Sequence, residues 1–433
     1  MDTPFRTRSH KTEPNPLADI FETREPFTEG FIPNRIVEPE EEFQQLVFTF
    51  QEYVSGMEMK DIFVYGRPGV GKRTVVKHLI RLVRDEIDKE INVVTIDCRL
   101  HSTIYQIYIE LANSLTEERY KEGYPEQTLL TSAFSQIEKS DTPHYILVEN
   151  MEHLSPSECL FYEFETSWSE YGSPDNELGV IGFSNENKIR DALLDHSAKR
   201  LLSRAQVAEI KFHTHDSQHL NDILELHADI AFVDDVLNSG VIPKCGAIAA
   251  QLTGSAKTAL QLLELSGYIA SQLDEKEVTE DHVELAKDAL EELEVFLTFT
   301  QNLSIQEQLL CVLITVDNVV TGERVTSKKL YKEYIDDCEV FNLDPVSKRR
   351  VRDYIHTLED NHLVTSTEHN TGRRKGKWYE YHLLPHPKPV VEAAVVTAPQ
   401  FERILQQKGA TVGDLNNDAE FNINLEHFTM RSL

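Results

Sequence analysis

Through the first half of the chain, short runs of consecutive apolar residues alternate with stretches where apolar residues recur every three or four positions. The runs at 62–65, 91–97, 145–148, 178–183 and 206–212 predict five buried strands. Between them, helices are predicted from two apolar faces. One follows Pro39 and carries Phe43, Leu46, Val47, Phe50 and Tyr53. The other carries Val75, Val76, Leu79, Ile80, Val83 and Ile87, and further helical segments fall near 103–115 and 128–140. Strands alternating with helices at this spacing predict an α/β fold, a parallel sheet covered on both faces. Ligands of such sheets sit at the carboxyl ends of the strands. Glu149, Asn150 and Asn185 fall at strand ends, as does the glycine-rich segment after Tyr65.

The pattern then changes. Residues 216–292 read as helical throughout; 256–273, for example, carries Leu260, Leu263, Leu265 and Ile269, and the whole reads as a small helical lid. From Ser304 three helices (304–315, 327–339, 347–361) precede two strands (363–367 and 377–383) joined by Gly372-Arg373-Arg374-Lys375-Gly376. Three helices and a basic-tipped hairpin predict a winged helix-turn-helix. The expected division is a disordered tail at 1–16, a sheet-containing core at 17–215, the lid at 216–292, the winged helix at 293–392 and an acidic tail at 393–433.

The segment Gly66-Arg67-Pro68-Gly69-Val70-Gly71-Lys72-Arg73-Thr74 has the strand–loop–helix setting of a phosphate-binding P-loop. Its glycines let backbone N–H groups face an anion, and Lys72 would reach the outer phosphates, so ATP or ADP is the expected ligand. The alternative is a glycine turn that only joins strand to helix. The strict pattern has Ser or Thr after the lysine to place a hydroxyl on Mg²⁺. Arg73 stands there, has no lone pair to offer a metal and carries the wrong charge. Thr74, one residue on, is turned by roughly 100° on the helix. This counts against Mg²⁺ and metal-assisted hydrolysis.

With 433 residues, 40% hydrophobic and 27% charged, the composition is that of a multidomain globular protein. No apolar run approaches the roughly 20 residues of a membrane span, and the polar first residues show no secretory signal. Five scattered cysteines form no C-x-x-C pair, which argues against structural zinc and for a reduced, cytoplasmic setting. His215 and His227 are twelve residues apart with no third ligand in view, so they read as surface or core residues rather than a metal pair.

The net charge of −30 opposes nucleic-acid binding taken alone. One region gathers the positives: Lys348, Arg349, Arg350, Arg352, Arg373, Arg374, Lys375 and Lys377, eight against Asp353, Glu359, Asp360 and Glu368. That local excess of +4 leaves −34 for the rest of the chain. The positives lie at the start of the third helix and the hairpin tip, where they could meet a major groove and phosphates of double-stranded DNA. A solvated helix end and loop is the bland alternative.

Together these residues resemble the archaeal origin-recognition and cell-division-control type replication initiators, AAA+ proteins with a C-terminal winged helix. The resemblance covers roughly 17–390. It rests on Asn15-Pro-Leu-Ala-Asp-Ile-Phe21, the P-loop, Glu149 to Leu154, Gly182-Phe-Ser-Asn185, Gly254-Ser-Ala-Lys-Thr-Ala-Leu260, Ser347-Lys-Arg-Arg-Val351 and Trp378-Tyr379-Glu-Tyr381. It implies an ATP-controlled DNA binder that marks replication origins, associated with the nucleoid, whose partners are related initiator subunits and the replicative helicase. The departures matter. The family's Asp-Glu at the third strand end is Glu149-Asn150; Glu149 could still hold a metal, one methylene further out, but an amide cannot act as general base, a loss typically of about 10²–10⁴ in rate. Asn185 matches the position that orients the attacking water. The trans-acting arginine falls at Ser197, with Lys199, Arg200 and Arg204 out of register. The lid's sensor arginine is Lys257, aromatic and arginine positions near the nucleotide hold His215 and His227, and a His-Arg pair before the first helix is replaced by Glu38-Pro39.

The expectation is a diverged initiator, or regulator of initiation, that binds ATP and hydrolyses little of it. Two alternatives stay open: a DNA-dependent AAA+ ATPase completed by a partner subunit, and a P-loop/winged-helix transcriptional regulator.

Overall fold

The computed structural model describes residues 19–28, 30–37, 39–54, 59–87, 91–140, 142–155, 160–172, 177–185, 207–370 and 377–409. The expected tail 1–16, Glu38, the 197–204 positions and the hairpin residues Arg373, Arg374 and Lys375 lie outside them. The chain divides into two compact units, Met1–Val283 and Glu284–Leu433.

In the first unit β1 (Ile62–Gly66), β2 (Asn92–Asp97), β3 (His144–Glu149), β4 (Leu178–Ser184) and β5 (Ala208–Phe212) form one parallel sheet in the order β2-β3-β4-β1-β5. Strand residues alternate between its two faces. Phe63, Ile96, Ile146, Val148 and Val180 pack with α3 (Ile104–Leu115), α4 (Glu126–Ser140) and α5 (Leu160–Tyr171) through Leu111, Phe134 and Phe164. Ile62, Val64, Leu147, Ile181 and Ile210 pack with α1 (Glu40–Val54) and α2 (Lys72–Ile87) through Phe50, Val76, Leu79 and Val83. Burial on both faces is why the central strands β1, β3 and β4 read as apolar runs, while the edge strands β2 and β5 alternate with exposed residues. Each such buried side chain contributes about 1.5–3 kcal/mol. The order of the strands places the ends of β1, β3 and β4 beside one another, and this assembles the site.

The lid begins with α6 (Ser217–Ala231), α7 (Val241–Leu252) and α8 (Ala256–Gln272). Asp216 and Ser255 cap α6 and α8 by accepting from backbone N–H groups in the first turn. The division between the units falls within α9 (Glu280–Leu297).

The second unit holds α10 (Ile305–Thr321), β6 (Val325–Thr326), α11 (Ser327–Cys338), α12 (Lys348–Asp360), β7 (Val364–Asn370) and β8 (Lys377–Leu383), with an antiparallel sheet in the order β6-β8-β7. Leu313, Leu330, Tyr334, Val351, Ile355 and Leu358 are buried. This is the winged helix, with β7–β8 as its hairpin. Beyond it the structure differs from the expected loose tail from 393 on. α13 (Pro387–Thr397) continues past that point, and α14 (Pro399–Gln407) follows. Each starts with proline in its first turn, where the missing N–H leaves no bond unmade. α14 buries Phe401, Ile404 and Leu405, with Phe401 against Phe341 at a 4.7 Å centroid distance, and Lys408 pairs with Glu333 at 2.9 Å. The spacing of those three apolar residues is that of one helix face. Residues 410–433 lie outside the described structure.

Candidate functional site

The loop between β1 and α2 turns through Gly69 at φ 75° and Gly71 at φ 86°, left-handed conformations that glycine adopts without cost. Gly69 also lies hard against the start of α8. A Cβ there would stand 2.2 Å from Ser255 Oγ and 2.8 Å from Lys257 Cβ. The Lys257 N–H donates to Gly69 O at 3.2 Å, and His215 Nε2 lies 3.1 Å from Val70 O. The lid and the loop are therefore one packed unit. Lys257 itself is exposed beside the loop; Pro68 is exposed, and Thr74 is half-buried in the first turn of α2.

Lys72 is buried and spends its ammonium on Gly66 O at 2.7 Å, Arg67 O at 2.8 Å and Asn185 Oδ1 at 3.0 Å. Burial, with the neighbouring Arg73 adding to it and Glu152 opposing, brings its pKa down to about 8. The three acceptors hold the ammonium at the mouth of the loop, where an incoming anion would draw it. Asn185 in turn donates to both oxygens of Glu152, through its backbone N–H at 3.1 Å and Nδ2 at 2.6 Å. Glu152, to which the sequence reading gave no role, thus fixes the side chain that receives Lys72. Its 33-residue separation from Asn185 hides the pairing until β3 and β4 lie side by side.

Arg73 and Glu149 meet across the loop. Arg73 Nη1 donates to Glu149 Oε2 at 2.6 Å, while Lys77 Nζ, one turn along α2, stands 3.7 Å from Oε1. Glu149 is 7% exposed. Its Oε1 lacks a hydrogen bond. A divalent ion set at this carboxylate would face both positive charges. At about 4 Å each unit pair repels by about 4 kcal/mol in a partly screened site, less where water reaches the guanidinium. The residues present do not fit Mg²⁺, whereas the buried ammonium, glycine loop and helix start fit a phosphate group.

Asn150 sits at φ 56°, the left-handed region that Asn tolerates. Its Nδ2 donates to Asp97 Oδ1 at 2.8 Å, which turns the amide toward β2. Burial would raise Asp97, but hydrogen bonds from Arg99 and Asn150 more than offset this and hold it at about 2. An amide in that position, held on Asp97 as its acceptor, offers no basic lone pair of its own at the residue after β3.

His215 stacks on His219 with centroids 4.6 Å apart, and His227 is buried with Nδ1 2.9 Å from Ile223 O. Both serve packing, and among the described residues no cluster of His, Cys, Asp and Glu could hold a metal. Cys98, Cys245, Cys311 and Cys338 are buried. No helix among the described residues is long and apolar enough to cross a membrane.

In the second unit Lys348, Arg349, Arg350 and Arg352 are exposed along the first turns of α12, whose start Ser347 caps by accepting from the Arg350 N–H. Three of them lie over aromatic rings: Lys348 over Tyr331 at 5.2 Å, Arg350 over Tyr354 at 5.1 Å and Arg352 over Tyr379 at 4.7 Å. Such contacts hold the stems while leaving the charge toward water. Arg352 spans from α12 to the hairpin strand β8, so helix and wing are fixed to one another. Lys377 is paired with Glu368 at 2.7 Å. His369 stacks on Trp378 at 4.2 Å beside the hairpin tip.

Known protein families share these parts. The family model described as "AAA domain" matches residues 60–182, "Cdc6 AAA+ ATPase-type lid domain" matches 221–288, and "CDC6, C terminal winged helix domain" matches 299–393. The chain is 30% identical over 379 residues to the ORC1-type DNA replication protein 10 of Halobacterium salinarum, covering 84% of this chain and 89% of that one. It is 29% identical to protein 8 of the same organism, covering 91% and 98%. Among solved structures it is similar to the Aeropyrum pernix ORC1 protein in complex with DNA, with a TM-score of 0.74 at 23% identity, over 89% of this chain and 99% of that one. The Aeropyrum pernix ORC2 protein (ADPNP-ADP complexes) gives 0.57 at 18%, over 90% and 99%. At these identities the structural likeness is one of fold.

Proposed function

The chain belongs to the ORC1-type DNA replication proteins, and from that premise we propose that it is a DNA-binding replication initiator, or regulator of initiation. It reads origin-type double-stranded DNA with its winged helix, near the nucleoid, beside related initiator subunits and the replicative helicase. Its P-loop core holds ATP or ADP and hydrolyses little.

One observation carries the DNA reading. In a chain of net charge −30, four exposed cations gather in the first turns of α12, and one of them, Arg352, is braced against the wing over Tyr379. A helix presenting such residues can enter a major groove while a hairpin lies along the backbone. Weak hydrolysis follows from Asn150, which has no basic lone pair and is hydrogen-bonded to Asp97. An arginine from a partner subunit cannot replace a base that has to stand at the end of β3, which disfavours an ATPase merely completed in trans.

The test is fluorescence anisotropy with duplex DNA over a series of KCl concentrations. Replacing Arg349 and Arg350 together by alanine should weaken binding and lower the salt slope by about 0.9 for each phosphate no longer neutralised. Affinity and slope identical to those of the parent protein would refute the assignment of α12 as the DNA-reading helix.

A further inference from the structure

Resting on the nucleotide reading above, we infer that Arg73 and Lys77, gathered on the Glu149 carboxylate, stand in for a divalent cation, so that the P-loop binds nucleoside di- or triphosphate without metal.

Three observations converge. The first is placement. Two cations, Arg73 at 2.6 Å and Lys77 at 3.7 Å, converge on the one buried carboxylate on which a divalent ion would rest.

The second is ligand chemistry. The residue after Lys72 is a guanidinium, which donates and never accepts, so it cannot coordinate a metal. One Glu149 oxygen is already taken by that guanidinium, and the other faces the Lys77 ammonium. A guanidinium presents several N–H groups in a planar fork, the geometry that suits a phosphate as well as a carboxylate.

The third is the local field. α2 is a 16-residue helix whose first two residues are Lys72 and Arg73, with no acidic residue in its first turn. Two cations at the positive end of a helix dipole are unfavourable by themselves. An anion beside them reverses the sign of that interaction. Arg73 is 41% exposed, which leaves it reachable by a ligand.

The test uses the full chain and measures equilibrium binding of fluorescent ATP and ADP in Mg²⁺ and in EDTA. The parent protein is expected to bind within about twofold in the two conditions. Arg73→Thr, which restores a hydroxyl at the metal-ligand position, is expected to lose at least about tenfold in EDTA and to recover part of this on adding Mg²⁺. Arg73→Gln keeps a long side chain able to donate to Glu149 and guards against misfolding. It should bind more weakly in both conditions, with no response to metal. Parent binding that collapses in EDTA would overturn the inference and leave the nucleotide reading standing. Absence of binding in both conditions, with an undisturbed thermal transition, would overturn the nucleotide reading and this inference with it.

Discussion

The packing of the lid on the P-loop makes a sharp claim about two glycines. Gly69 and Gly71 have similar left-handed backbones, φ 75° and 86°. An alanine at either costs about 1–2 kcal/mol for the backbone alone. Their surroundings differ. A Cβ on Gly71 meets nothing nearer than Val75 Cγ2 at 3.9 Å, an ordinary contact, whereas one on Gly69 would overlap Ser255 Oγ at 2.2 Å and Lys257 Cβ at 2.8 Å. Overpacking of that kind adds about 1–3 kcal/mol. Gly69→Ala should therefore be the more destabilised of the two by about 1–3 kcal/mol, seen as a transition roughly 2–10 °C lower in differential scanning calorimetry. Ser255→Gly removes the nearer atom and costs only a few tenths of a kcal/mol as a cap. In the Gly69→Ala, Ser255→Gly double variant about 1 kcal/mol of the penalty should return as coupling. Equal transitions for the two alanine variants, or strict additivity in the double variant, would refute the description of loop and lid as one packed unit.

Phe401→Ala empties a fully buried site between Phe299 and Phe341. It should destabilise the second unit by about 3–5 kcal/mol in urea titrations; a change below 1 kcal/mol would mean α14 does not belong to that core. Lys72 supplies a pH test. With its folded pKa lowered to about 8 from 10.5, the unfolded chain holds more protons between those values, so this group makes the free protein gain stability as pH rises from 8 toward 10.5. Nucleotide affinity should move the other way, falling above pH 8 as the ammonium is lost, and Lys72→Arg should flatten that fall. A parent affinity constant from pH 7 to 10 would exclude Lys72 from the phosphate contact.

The sheet was legible because its central strands β1, β3 and β4 are buried on both faces and its edge strands β2 and β5 keep apolar residues on one. The observed ends of all five lie within two residues of the apolar runs that predict them. α5 went unpredicted: its apolar residues Leu160, Phe161 and Phe164 are interleaved with glutamates and serines, and the short β6 carries too few residues to show a period. The helix α14 was hidden by Pro399, which reads as a breaker between segments and in fact starts the helix. At the site, the glycine-rich loop was legible from spacing, whereas the reading of Asn150 as standing in a base's place came only from the family resemblance. The pairings were not. Arg73 and Glu149 are 76 residues apart, and Lys72 and Asn185 are 113 apart. Only the placement of β1 next to β4, and β4 next to β3, turns those residues into neighbours.

The hydrogen bond that ties Asn150 to Asp97 has a consequence for signalling. An initiator that hydrolyses its ligand works as a timer: each loading event expires on its own. On the proposed reading, in which the tethered amide leaves little hydrolysis, nucleotide would leave mainly by dissociation, and the protein would change state mainly by exchange with the pool around it. Its occupancy would then follow the ratio of ATP to ADP around it and carry no memory of when it was loaded, the behaviour of a gauge and not of a clock.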